Sequence, residues 1–197
     1  RRQRQMCIRD RTLNIQNYNY NVIFSADKLN ALKNQKEMQW MSIDYMSNHL
    51  PPNPDGAGAF RQFGRWLTIA SANNIKMKLT QVINQACSGR NGGQLNVHIV
   101  SGISGGMGAG SFVDVCYIAR EVIDGFGFTA AKVFGYFVLP DAIISKDAII
   151  GDPIRTAANQ KNGIASLLEI EHLMNLKDSD EWFEQDYGLF KIRTQHK

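Results

Sequence analysis

The residues best suited to chemistry in this sequence form a glycine-rich run near its middle. Five glycines stand among the nine residues from Gly102 to Gly110, after an apolar stretch at 95–100 and before an amphipathic pattern at 112–123. Because glycine carries no Cβ, successive backbone N–H groups of such a run can point into one concavity. The positive end of the following helix adds to their attraction for an anion. The spacing therefore predicts a loop that binds a polyphosphate.

Two familiar phosphate loops are excluded by the residues themselves. No Lys-Ser or Lys-Thr pair follows the glycines, as a Walker A loop requires, and Ser111 stands where a GxGxxG fingerprint needs its last glycine. A packing alternative stays open, in which the glycines serve only to let a strand and a helix approach closely.

A serine hydrolase is the main enzymatic alternative. Residues 102–106 read Gly-Ile-Ser-Gly-Gly and satisfy GxSxG, in which Ser104 is a nucleophile between a strand and a helix. Asp141 and His172 follow in the order Ser, Asp, His. This alternative gives Gly108 and Gly110 no purpose, and the residues around His172 are typical of a solvated amphipathic helix.

Hydrophobic periodicity indicates the elements that position the loop. Buried strands are predicted at 95–100 and 132–139, with a helix at 112–123 between them. Strand, loop, helix and strand in this order predict a parallel sheet with ligands at the carboxyl ends of its strands. In such a helix, Asp114 would lie in the first turn and complement the helix dipole.

Two further helices are predicted. One runs over 60–87, with a kink or break at 71–74, and carries Arg61 and Arg65 one turn apart, facing either phosphate or water. The other covers about 156–174. The charged residues beyond 178 show too weak a pattern to predict an element.

The glycine run resembles the signature loop of the tubulin/FtsZ superfamily, GGGTGTG or GGGTGSG, which also follows a strand and opens a helix. SGGMGAG at 104–110 matches at the four glycines after the first position. Ser104, Met107 and Ala109 stand where that family has glycine or alanine, threonine, and threonine or serine. The resemblance implies that the phosphates contact Ser104, Gly105, Gly106, Met107, Gly108, Ala109 and Gly110.

Flanking segments resemble the same superfamily in the same order, over about residues 20–176. Gly56, Ala57 and Gly58 begin a GAG…GR segment that closes over the terminal phosphate. Residues 139–141 look like the loop that reaches toward the ribose, and 162–167 resemble the helix whose asparagine contacts guanine. The ribose- and base-binding residues implied in this way are Pro140, Asp141, Asn159 and Asn162. The closest likeness is to the bacterial tubulin-like proteins.

The resemblance implies an α/β fold of the GTPase-domain type, in which helices flank a Rossmann-like parallel sheet. It also implies GTP or GDP as the ligand, with Mg²⁺ as its companion, and head-to-tail filaments of identical subunits. Hydrolysis would then occur between subunits, with catalytic residues expected from a neighbouring subunit. A non-hydrolysing nucleotide-binding scaffold is the alternative within the family, because Met107 and Ala109 lack hydroxyl groups.

The charge distribution argues against a nucleic-acid partner. The chain of 197 residues carries 22 Lys and Arg against 18 Asp and Glu, a formal charge of +4. Residues 1–11 hold five arginines and one aspartate, 5 − 1 = +4, so 17 basic and 17 acidic residues remain. A folded body without net charge has no basic footprint for a phosphate backbone.

Residues 1–11 resemble translated sequencing-adapter read-through, and we predict that they are not native to the protein. Residues 12–197 are then expected to be a partial nucleotide-binding domain that lacks its first strand and its C-terminal domain. No apolar run reaches the roughly 18–20 residues that cross a bilayer, so no membrane association is predicted. Three cysteines without a CxxC pair give no sign of an oxidising compartment, and cytoplasm is the expected location.

Overall fold

The computed structural model describes residues 40–48, 57–88, 95–128, 130–144 and 151–195, and the structural statements below concern these ranges. Gly56 and the segment 1–11 lie outside them. Within the described ranges, no helix is both long and apolar enough to cross a membrane. In chain order the elements are α1 (Ile43–Asn48), α2 (Arg61–Cys87), β1 (Asn96–Gly102), α3 (Gly106–Gly125), β2 (Lys132–Val138), α4 (Asp141–Ile144), α5 (Pro153–Met174), β3 (Phe183–Asp186) and β4 (Lys191–Thr194).

The strands before and after α3 pair in parallel, as predicted. Asn96 lies opposite Lys132, and Gly102 lies opposite Val138 at the carboxyl ends of both strands. The amide of Ile103 donates a hydrogen bond of 3.0 Å to the carbonyl of Val138 and continues the ladder into the glycine run. The start of the loop is therefore fixed by β2 as well as by β1.

Helix α3 covers one face of this two-stranded sheet. Exposed and half-buried residues alternate along β1, as the period of two in a strand requires. On the covered face, Phe112 of α3 packs edge-on against Phe137 of β2, with 5.1 Å between ring centroids. The opposite face is open in the described part of the chain, where Val100 is 71% and Tyr136 50% exposed.

Helices α2 and α3 form the main packing layer beside the sheet. Phe63 and Leu67 of α2 belong to one apolar core with Ile118 of α3. Helix α2 runs without interruption, so the predicted break at 71–74 was wrong. Ala72 is fully buried in the same core, and tertiary burial of this kind overrides the weak helix propensity of the two asparagines that follow it.

The start of α3 differs from that predicted. Helix α3 begins at Gly106 rather than near Phe112, so most of the predicted glycine loop is helical. Glycine costs about 1 kcal/mol per helical position relative to alanine, and close contacts must offset that cost here. Because α3 starts early, Asp114 lies in its third turn rather than the first.

The chain also has a C-terminal element that periodicity did not predict. Strands β3 and β4 form an antiparallel hairpin with Phe183 opposite Thr194 and Asp186 opposite Lys191. The ring of Phe183 stacks on Tyr117 of α3, with 3.8 Å between centroids. Strands of four residues are too short to give a clear alternation, so this element becomes recognisable only through its packing on α3.

Candidate functional site

The glycine run turns from β1 into α3 through three residues. Ile103 and Ser104 are both fully buried, and Gly105 then precedes the helix in an extended conformation with φ −84°. Of the residues that follow, Met107 and Gly108 are partly accessible, whereas Gly106 is buried. The accessible part of the predicted phosphate loop is therefore its centre, at the first turn of α3.

Backbone amides of this first turn are available to a ligand on geometric grounds. The first N–H groups of an α-helix have no carbonyl one turn before them to accept their hydrogen bonds. The amide of Gly106 is already engaged, because it donates to the carbonyl of Gly58 at 2.7 Å. The amides of Met107 and Gly108 have no intrahelical acceptor, and the positive end of the helix dipole lies beside them.

Three of the glycines allow close packing of the backbone. A Cβ on Gly106 would lie 2.6 Å from the carbonyl oxygen of Ala57, and one on Gly108 would lie 2.1 Å from that of Gly102. On Gly110 it would lie 2.2 Å from the carbonyl oxygen of Arg61. The packing alternative thus accounts for these three positions.

Gly105 is different, because packing does not require a glycine there. Its nearest neighbour for an added Cβ is the carbonyl oxygen of Gly58 at 4.0 Å, which is ordinary contact. Its extended backbone also suits any residue. The missing side chain at Gly105 leaves the first turn of α3 uncovered.

The segment 57–59 lies directly on the glycine run, as the predicted phosphate site requires. Ala57 is buried, and Gly58 has φ +55°, a left-handed conformation that favours glycine. Besides the bond from Gly106 to Gly58, the side-chain nitrogen of Asn162 donates to the carbonyls of Ala59 and Ser104, each at 2.8 Å. Gly56 belongs to the same predicted set and lies outside the described residues.

The predicted ribose- and base-binding residues come from two neighbouring elements. Pro140, just after β2, packs closely against Gly163 of α5. A Cβ added to Gly163 would lie 2.3 Å from the proline ring. Asn159 is buried one turn before Gly163 on the same face of α5. Asp141, the first residue of α4, is exposed. Pro140 and Asn162 are therefore brought to the glycine run by the contact between β2 and α5.

The two arginines of α2 point to neighbouring helices. Arg61 donates from Nε and Nη2 to the carbonyl of Ala109, each at 3.2 Å, and pairs with Glu169 of α5. Arg65 donates from Nε to Asp114 of α3 at 3.2 Å. In this structure, both arginines are therefore engaged by neighbouring groups of the protein.

Asp114 is the centre of a buried polar cluster that sequence reasoning missed. Its carboxylate is fully buried and accepts a hydrogen bond of 2.8 Å from the hydroxyl of Tyr187, in addition to the bond from Arg65. Burial raises the pKa of Asp114 above its usual value, and the positive charge of Arg65 and the Tyr187 hydrogen bond offset part of this rise. The cluster joins α2, α3 and the C-terminal hairpin.

The hydrolase alternative receives no support from the positions of its three residues. The hydroxyl of Ser104 is buried and has no hydrogen-bond partner among the described residues. Atom Nε2 of His172 instead lies 3.5 Å from Oε2 of Glu181, and Asp141 is exposed at the start of α4. A nucleophilic serine requires a base within hydrogen-bond reach, and none reaches this one.

Among the described residues, two cavities beside α3 have walls that do not include Gly105. One of about 170 Å³ is apolar and lies among Phe112, Phe137 and Met174. The other, about 320 Å³, lies between Arg61 and His172. In the part of the chain that the structure describes, no three His, Cys, Asp or Glu side chains are grouped to hold a metal ion.

The comparisons with known proteins agree with this fold. The chain matches the family model described as "Tubulin like" over residues 8–197, a range that begins inside the segment 1–11. No curated protein and no solved structure matches the chain. The family match confirms the resemblance and the α/β fold expected from the glycine run. Because the model covers nearly all of the chain, this protein belongs to the tubulin-like family.

Proposed function

We propose that this protein binds GTP or GDP with the phosphates against the first turn of α3. The observation that carries the proposal is Gly105, a position with room for a side chain that nevertheless leaves the positive end of a helix uncovered. Helix N-termini of this kind attract phosphate through free amides and the helix dipole. Membership of the tubulin-like family supports a guanine nucleotide as the ligand.

The proposed phosphate contacts come from the backbone. Amides of Met107 and Gly108 supply donors, and Ala57 and Gly58 border the site from the other side. Mg²⁺ would neutralise part of the phosphate charge, and we assign it no ligand in this chain. Pro140, Asp141 and Asn159 are the proposed neighbours of the ribose and base.

We further propose that the protein acts as a GTPase when its subunits assemble head to tail in the cytoplasm. The catalytic groups would then come from the neighbouring subunit, and no residue described above is assigned that role. A non-hydrolysing scaffold is the second candidate, because the side chain of Met107 packs against the apolar core and supplies no hydroxyl to a phosphate.

Charge at residue 105 provides the test of phosphate binding. Gly105→Asp places a carboxylate at the N-cap of α3, which stabilises the helix but repels a phosphate. We expect the variant to be at least as stable as the wild type and to bind a fluorescent GTP analogue at least about tenfold more weakly, an effect of about 1.4 kcal/mol. Fluorescence titration and thermal unfolding measure the two effects.

Two matched variants control this experiment. Gly105→Ala adds one methyl group in ordinary contact with the carbonyl oxygen of Gly58, and Gly105→Asn adds a side chain of the same shape as Asp without the charge. Both should retain more affinity than the Asp variant. Equal binding by the Asp and Asn variants would show that no phosphate lies at this helix end.

Turnover measured against protein concentration separates the two candidate activities. A GTPase that is completed by its neighbour hydrolyses GTP with a rate per subunit that rises steeply with concentration, in step with light scattering from filaments. A scaffold binds GTP with no turnover at any concentration. A constant rate per subunit at all concentrations would contradict both candidates.

A further inference from the structure

Asn162 occupies a position where three segments of the chain meet. Its side-chain nitrogen donates two hydrogen bonds of 2.8 Å, one to the carbonyl of Ala59 and one to that of Ser104. Because both acceptors are carbonyl oxygens, only the nitrogen end of the carboxamide can face them, and this fixes the orientation of the side chain. Both N–H groups of Asn162 are thereby used within the protein.

The backbone around Asn162 is held in place from the other side. Gly163 has no Cβ, and the ring of Pro140 occupies the space where one would lie. Helix α5 is therefore pressed against the end of β2 at the residue next to Asn162. A side chain anchored in this way can hold another segment in place, and that segment is 57–59, directly before α2.

Successive residues of segment 58–59 are bonded to the glycine run and to Asn162. The carbonyl of Gly58 accepts from the amide of Gly106, and the carbonyl of Ala59 accepts from Asn162. Since Asn162 also holds Ser104, one side chain sets the distance between the two loops that border the accessible first turn of α3. Loss of this side chain removes the bond at Ala59 and weakens the hold of Gly58 on the amide of Gly106, while the amides of Met107 and Gly108 keep their places in the helix.

We propose that Asn162 is a positioning residue that latches segment 57–59 onto the glycine run and thereby sets the width of the phosphate site. This inference rests on the proposed function, but it assigns Asn162 a role different from the base contact that the family resemblance implies. A latch supports the binding of any polyphosphate, whatever base it carries. A base contact supports guanine alone.

Ligands with and without a base distinguish these roles. We expect Asn162→Ala to weaken the binding of GTP, ATP and inorganic tripolyphosphate by the same factor, about tenfold each, when measured by calorimetry on the whole chain. Asn162→Asp should weaken the binding of all three ligands further, because its carboxylate has no hydrogen to donate and would repel the two carbonyl oxygens that it faces. Gln160→Ala, an exposed position on the same helix, is the matched control and should change none of them.

If Asn162→Ala binds GTP more weakly but binds tripolyphosphate as tightly as the wild type, the latch is overturned in favour of the base contact. Hydrogen exchange without any ligand gives a second, independent measurement. The amide of Gly106 should exchange about tenfold faster in Asn162→Ala than in the wild type, because its acceptor at Gly58 is no longer held. Unchanged exchange at Gly106 also overturns the proposal.

The two measurements keep the latch separate from the proposed function. If the wild type binds none of the three ligands, nucleotide binding is wrong, and the exchange of Gly106 still decides whether Asn162 holds the loop. Thermal unfolding of each variant shows whether a lower affinity reflects global stability. A merely structural role would lower the melting temperature and leave the affinities at low temperature unchanged.

Discussion

The contact between α2 and α3 is made in two different ways along its length. Near the glycine run, Gly64 and Gly110 let the helix backbones touch, and a Cβ on Gly64 would lie 2.1 Å from the carbonyl oxygen of Gly106. Within about one turn, the same helices are joined by the buried pair of Arg65 and Asp114. The contact at Gly64 and Gly110 depends on absent side chains, and the adjacent contact at Arg65 and Asp114 depends on charged ones.

This difference separates the demands of binding from those of stability. A ligand at the first turn of α3 needs backbone amides close to the surface, and side chains there would cover them. The Asp114 cluster is buried and involves no accessible amide, so its contribution is to hold three elements together. Changes at the glycine contact and at the charged contact should therefore have separable effects on affinity and on folding.

The largest expected effect on stability is at the charged contact of Arg65 and Asp114. Asp114→Ala removes the partner of Arg65 and leaves the buried hydroxyl of Tyr187 without its acceptor. We expect the free energy of unfolding to fall by about 3 kcal/mol, the lower end of the range for a broken buried pair, because Arg65 keeps some access to water. Urea denaturation measures it, and a loss below about 0.5 kcal/mol, a typical surface value, would contradict this account of the cluster.

Gly110→Ala should have the next largest effect. The added methyl group meets the backbone of Arg61 and Arg65, so the helices must move apart, at a cost of about 1–3 kcal/mol. Gly125→Ala on the same helix is the matched control, since nothing lies within 4 Å of its added Cβ. If both variants unfold at the same urea concentration, helices α2 and α3 are not close-packed at Gly110.

The smallest effect is a pH dependence that arises from Asp114. Its pKa is higher in the folded state than the ordinary 3.8, so the folded protein binds this proton more readily than the unfolded chain. The stability from this group is fully present below pH 3.8 and is lost as the pH rises through the folded pKa. Relative to Asp114→Asn, which has no such proton, the wild type should gain stability as the pH falls from 7 toward 4. Urea denaturation of both proteins across this range tests the sign, and a relative loss at low pH would show that Arg65 outweighs burial.

Local patterns in the sequence were sufficient for the elements that carry the site. Short apolar runs at 95–100 and 132–139 predicted β1 and β2 as buried strands, although one face of their sheet is exposed. The glycine run between β1 and α3 indicated where the site lies. The start of α3 was predicted too late because single-residue propensities count Gly106 and Gly110 against a helix. Their compensation is a contact with α2, which no local pattern contains.

The remaining features depend on contacts between distant residues. Asp114 is bonded to Arg65, 49 positions away, and to Tyr187, 73 positions away, so its environment has no signature around residue 114. Asn162 likewise bonds to two backbone carbonyls, and every residue has a carbonyl. Neither the cluster nor the latch could be recognised until the elements were assembled.

The unbroken course of α2 has a mechanical consequence. Its 27 residues form a rod of about 40 Å, and the rod begins two residues after the bonded carbonyl of Ala59. Segment 57–59 at its start contacts the glycine run, and Ile83 toward its far end packs with Val122 and Ile123 of α3. An unbroken helix therefore connects the loop beside the glycine run to the apolar cluster near the other end of α3.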